Sequence, residues 1–181
     1  MTKKIKPKNK NGFTIMELII YMAVFIIIAT ALITFTLDLL RIQTKVQIKK
    51  EVLDSAQRSI DVISWEIKHA KSIYDNTCVA GAHPGQLSLK TIQNTPDGET
   101  ETYVDFYLDD NDNLCIKREG QSGELLTSEN VKISNLVFSN FTAGDTQAIQ
   151  IDITAFYNSS REQAAYHATT TLTSSAILRN E

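Results

Sequence analysis

Between Gly12 and Gly81 the chain has neither glycine nor proline, so sixty-eight residues pass without the two strongest breakers of helix. The next ones, Gly81, Pro84 and Gly85, then fall together. Cysteine is scarce: Cys78 and Cys115 form no CxxC pair, and His69, His83 and His167 are scattered, so no metal-site spacing exists and no cofactor is expected. Basic residues are few toward the C-terminus. Residues 75–181 hold six basic and fifteen acidic side chains, a balance of −9. Such a segment repels phosphate backbones, and direct nucleic-acid binding is not expected of it. Catalytic signatures are missing too, with no nucleophile elbow and no His-bearing motif, so the chain does not read as an enzyme.

The first twelve residues carry five lysines (Lys3, Lys4, Lys6, Lys8, Lys10) and no acid. From Leu18 to Leu37 follow twenty residues without a charge, bounded by Glu17 and Asp38. At 1.5 Å per residue this run makes about 30 Å of helix, the thickness of a bilayer's hydrocarbon core. A domain of this size would rarely enclose a helix apolar on every side, so a membrane span is the better reading than a core helix. The upstream lysines place the N-terminus in the cytoplasm and the acidic C-terminal part outside it. A cleaved secretory signal, with Ala29-Thr30-Ala31 as its site, is the rival. Leu32, Ile33 and Phe35 continue the apolar run beyond that site, as a span requires.

Just before the run stands Lys10-Asn11-Gly12-Phe13-Thr14-Ile15-Met16-Glu17-Leu18. A glycine closing a basic leader, a phenylalanine after it and a glutamate at the head of an apolar helix together resemble the processing motif of type IV prepilins and pseudopilins. The resemblance implies a cut between Gly12 and Phe13 by the prepilin peptidase, N-methylation of Phe13, and assembly with other pilin or pseudopilin subunits from the membrane. It implies that Glu17 docks against the terminal amine of a neighbour. An ionised carboxylate in an apolar bundle is costly and has to be paired or protonated. Many major pilins carry a proline where this chain has Thr34, a departure that fits a minor pilin or pseudopilin better. The segments SAQRSIDVISWEIKHAKSI, YLDDNDNLCIKRE and TTLTSSAILRN resemble J-type minor pseudopilins of type II secretion systems.

Apolar residues then recur at Ile42, Val46, Leu53, Ala56, Ile60, Ile63, Ile67 and Ala70, a stripe at helical spacing. A helix from Phe13 to about Ser72 is expected, its stripe packing on the domain that follows, with Trp65 at the stripe's edge as core. Coiled-coil pairing is the alternative use of such a stripe. Beyond it, strands are expected at Gln86–Thr91, Tyr103–Leu108, Leu114–Lys117, Val131–Phe138, Ala148–Tyr157 and Ala164–Leu178, forming an antiparallel sheet. The fold class is α+β: a long N-terminal helix packed on an antiparallel sheet. The expected organisation is a leader (1–12), a transmembrane helix (13–40), an amphipathic continuation (41–74) and an acidic outer domain (75–181). Asp109, Asn111 and Asn113 echo the opening of a calcium loop, but Leu114 and Gly120 stand where its glycine and closing glutamate belong, so a solvated turn is the better reading. Cys78 and Cys115 both lie on the extracytoplasmic side, and a disulfide between them is expected, worth about 3–4 kcal/mol by chain entropy. A single-pass anchored binding protein is the alternative function.

Overall fold

In the computed structural model, residues 12, 14–96, 98–143, 146–159 and 166–179 are described. Residues 1–11 of the basic leader, Phe13 and residues 164–165 of the expected last strand lie outside these. Two units follow one another along the chain, 1–42 and 43–181.

The breaker-free stretch forms one α-helix, α1 (Ile15–His69). Thr14 starts it: its carbonyl accepts from the Glu17 and Leu18 amides, and its hydroxyl lies 3.3 Å from the Glu17 nitrogen. This is the Thr-x-x-Glu start that caps orphan amides. Through the first unit nearly every large apolar side chain of α1 is exposed, and the window apolar enough to cross a membrane has none of its residues buried. Its threonine hydroxyls turn inward instead. Thr30 donates to Ile26 O, Thr34 to Ala31 O and Thr36 to Leu32 O, so these polar atoms need no water.

In the second unit, α1 buries Ile48, Val52, Ala56, Ile60, Ile63 and Ile67. The expected stripe is therefore rotated at its start: Ile42, Val46 and Leu53 are exposed, and Ile48 and Val52 take the inner places. Trp65 is also exposed and packs its ring on His69 at 4.3 Å, which corrects its reading as core. Small polar residues share the inner face. Ser55 Oγ accepts from the Ser128 amide at 3.1 Å, a close approach that a branched apolar side chain would block. α1 stops at His69 rather than near Ser72, because Ala70–Ile73 is drawn into a strand and Thr91 Oγ1 caps the His69 carbonyl.

Eight strands follow among the described residues: β1 (Ala70–Ile73), β2 (Leu87–Thr91), β3 (Thr102–Leu108), β4 (Leu114–Arg118), β5 (Glu124–Leu125), β6 (Val131–Ala143), β7 (Thr146–Tyr157) and β8 (Thr169–Ile177). They make two antiparallel sheets, in the orders β1-β2-β3-β4-β5 and β6-β7-β8, where one sheet was expected. Both sheets and the second half of α1 share one core, with Phe106 and Phe138 as its largest fully buried side chains. In β6 the register shifts between Ile133 and Asn135. Buried positions are Val131 and Ile133 before the shift, Leu136 and Phe138 after it. A bulge is the only way such a sequence keeps all four inside, since one residue of slip swaps the faces of a strand.

Candidate functional site

The residues singled out by the sequence gather at the start of α1. Gly12 is exposed, and a Cβ added there would meet nothing within 4 Å. Packing among the described residues thus gives no reason for glycine at this position. Glu17 follows five positions on, in the first turn of α1, where a carboxylate is favoured by the helix dipole. Its Oε1 accepts from the Tyr21 hydroxyl at 2.8 Å, one turn below. Tyr21 was not anticipated, although its i+4 spacing from Glu17 is visible in the sequence. The pair leaves the carboxylate oriented along an otherwise apolar helix with exposed Ile15, Met16, Leu18 and Ile19 around it.

Residues 7–33 match the family model described as the prokaryotic N-terminal methylation motif. The match runs across Gly12, Phe13 and Glu17 and into the uncharged run, and it supports a type IV pilin-like family. With the long apolar helix, it supports a methylated prepilin with a transmembrane segment. No curated protein and no solved structure matches the chain significantly.

The other candidates lie in the second unit. Cys78 and Cys115 are free thiols in this structure, where the sequence leads to the expectation of a bridge. Cys115 lies on β4 opposite Tyr107 of β3, on the face away from Phe106 and Ile116. Cys78 packs on the core side, lining a cavity of about 80 Å³ with Ile73, Leu87 and Phe138. Strand β3 separates β2, beside Cys78, from β4. Burial pushes both thiols up, against the thiolate a reactive cysteine needs.

The Asp109–Asn113 turn is closed by its own side chains. Asp109 Oδ1 accepts from the amides of Asn111 at 2.9 Å and Asn113 at 2.8 Å, and Oδ2 accepts from Asn113 Nδ2 at 2.8 Å. Asn113 Oδ1 in turn accepts from Lys132 Nζ at 2.6 Å. The side-chain oxygens of Asp109 and Asn113 are therefore engaged with donors. Asp112, at φ 59°, completes the tight reversal.

Proposed function

We propose that this chain is a minor structural subunit of a type IV pilus or type II secretion pseudopilus. The prepilin peptidase would cut between Gly12 and Phe13 and methylate Phe13. The likeness of the end of α1, the β3–β4 hairpin and the C-terminal strand to J-type pseudopilins, together with Thr34 in place of proline, favours the minor class. The subunit sits in the cytoplasmic membrane with a single pass. Its N-terminus is cytoplasmic and residues 75–181 lie outside, and it joins other pilin-like subunits through the apolar half of α1.

The observation that carries this reading is the joint placement of Gly12, which no described residue packs against, and Glu17, at the head of a helix whose apolar side chains are exposed among the described residues. The peptidase has to recognise the leader and Gly12, whereas Glu17 acts later, as partner for a neighbour's new terminal amine. Processing and assembly are therefore separable. Wild type and Glu17→Ala are extracted from membranes, weighed intact and crosslinked. Both should begin at methylated Phe13, and only wild type should crosslink to other pilin-like subunits. Removing a partner from a buried charge costs on the order of 3–5 kcal/mol, enough to abolish the crosslink. A wild-type chain starting at Leu32 would mean signal peptidase acts instead. Equal crosslinking by the variant would reduce Glu17 to a helix-start residue held by Tyr21.

A further inference from the structure

The two long outer strands of the β6-β7-β8 sheet are finished differently. The outer edge of β6 is covered by the chain itself. Gly81 N donates to Phe138 O at 2.8 Å and Gly85 N to Leu136 O at 2.9 Å, while Leu136 N donates to His83 Nδ1 at 3.1 Å. Ile133 N reaches Asp112 O at 2.8 Å. A Cβ on Gly85 would lie 2.9 Å from Leu136 O, so glycine is needed for this loop to come so close.

The outer edge of β8 has no such cover among the described residues. Tyr157 N donates to Ala168 O and Leu178 N to Gln147 O, which sets the parity of the β7–β8 ladder. Even-numbered residues of β8 bond to β7. Thr169, Thr171, Thr173, Ser175 and Ile177 direct their amides and carbonyls away from it. No strand lies beyond β8 in the sheet, and these outward groups have no backbone partner among the described residues. The edges of the other sheet are short, four residues in β1 and two in β5. Strand β8 spans nine residues, TTTLTSSAI, and pairs with β7 without a register shift. It contains no charge, no proline and no bulge, the devices by which exposed edges are protected from pairing.

Beside this edge runs a cleft between β8 and α1, lined by Gln57, Ile60 and Asp61 on the helix and by Leu172, Thr173 and Ser174 on the strand. Ile60 floors it and is buried, while Asp61 is exposed and makes no ion pair among the described residues. On the sheet's outer face a second carboxylate, Asp152, accepts from Thr173 Oγ1 at 2.6 Å. The open edge is thus flanked by acid on both sides.

We propose that β8 is a docking strand, to which an extended segment of another protein adds as a further strand, with a basic side chain set against Asp61. Main-chain hydrogen bonds would supply affinity and the acidic flank the choice of segment. A second copy of β8 does not fit this role, because the strand has no basic residue to offer. The inference stands apart from the proposed function, since it concerns neither the leader nor the apolar half of α1.

The probe is a labelled nine-residue peptide of alternating threonine and valine with one central lysine, titrated against the detergent-solubilised full chain. Its two controls carry glutamate for lysine, or N-methyl groups on alternate amides. Ser175→Pro removes one outward amide and no ladder bond, whereas the side chain of Ser175 makes no hydrogen bond of its own. The variant should unfold with wild type and bind the lysine peptide about tenfold more weakly, as expected for loss of edge hydrogen bonds. Asp61→Asn should weaken it about threefold, the scale of an exposed ion pair, and the N-methylated peptide should not bind. Equal binding to wild type and Ser175→Pro overturns the proposal, as does equal binding of lysine and glutamate peptides. Absence of binding, or concentration-dependent dimers lost in Ser175→Pro, overturns it as well. If Ser175→Pro fails to fold, Ser175→Lys takes its place, charging the edge without altering the backbone.

Discussion

The two parts of α1 are one helix by hydrogen bonding and two different objects by their side chains. From Leu18 to Leu37 the helix carries no charge on any side, its threonine hydroxyls are folded back onto its own carbonyls, and none of its most apolar stretch is buried. After Gln43 it alternates. Its apolar residues go under two sheets, and its polar ones make specific long-range bonds such as Arg118 Nη2 to Glu66 Oε1 at 2.7 Å. The first part is complete in its backbone but needs an apolar solvent for its surface. The second part needs only the rest of its own unit. Regular helix geometry therefore says nothing about where stability comes from, and the side chains decide it.

The comparison breaks most directly at matched isoleucines. Ile63 is fully buried between the sheets, while Ile27 is 69% exposed. Ile63→Ala should destabilise the second unit by about 2–5 kcal/mol, the range for a large-to-small change in a packed core. Ile27→Ala should leave its unfolding midpoint unchanged. Urea titration in detergent, followed through the single tryptophan, Trp65, measures both. A comparable loss from Ile27→Ala would mean that the apolar part takes part in folding the domain.

Ion pairs sharpen the same contrast. Glu66 is 5% exposed at its side chain and Arg118 29%, whereas Asp38 and Arg41, in the apolar part, are 67% and 75% exposed. Glu66→Gln leaves Arg118 facing a neutral partner in a half-dry setting and should cost about 1–3 kcal/mol, less than a fully buried pair because Arg118 reaches water. Asp38→Asn should cost less than about 0.5 kcal/mol, as exposed helix pairs do. Thermal melts of both variants, read by the same tryptophan, rank them.

How legible this was depends on the length scale of the signal. The apolar run, the missing breakers and the Gly12–Glu17 junction are local, and they gave the helix and the candidate site without a partner to consult. Strands with strong alternation, Tyr103–Leu108 and Ala148–Tyr157, were located to within a residue or two for the same reason. Failures occurred where tertiary contacts chose between local options. Ala70–Ile73 reads as helix and becomes strand because β2 offers it a ladder. Ile48 displaces Val46, and Ser55 sits inside because the Ser128 amide needs an acceptor. The division into two sheets and the β6 bulge follow from three-dimensional register, which spacing along the chain does not encode.

Acid offers the finest test, because two depressed carboxylates, Asp109 and Glu101, lie in the second unit. At Asp109 burial pushes the carboxyl up, but the hydrogen bonds from Asn113 and Asn111 outweigh it and hold it below its ordinary value of 3.8. Lys71 and Lys90 hold Glu101 below 4.5, through a 2.6 Å contact with Lys71 and a second close contact with Lys90. A carboxylate depressed by folding contributes stability that is complete above its unfolded value and is lost as pH falls through its folded one. The second unit should therefore hold its urea midpoint from pH 7 to about 5 and weaken progressively below. Asp109→Asn should flatten part of that slope while lowering stability at neutral pH. The first unit has only Glu17 and Asp38 as acids, and its helix needs neither to satisfy its backbone. At low pH the tryptophan signal of the second unit should shift while the helical circular dichroism of the apolar part persists in detergent. A single transition taking both signals together would show that the two parts of α1 melt as one, and the division drawn at Gln43 would be wrong.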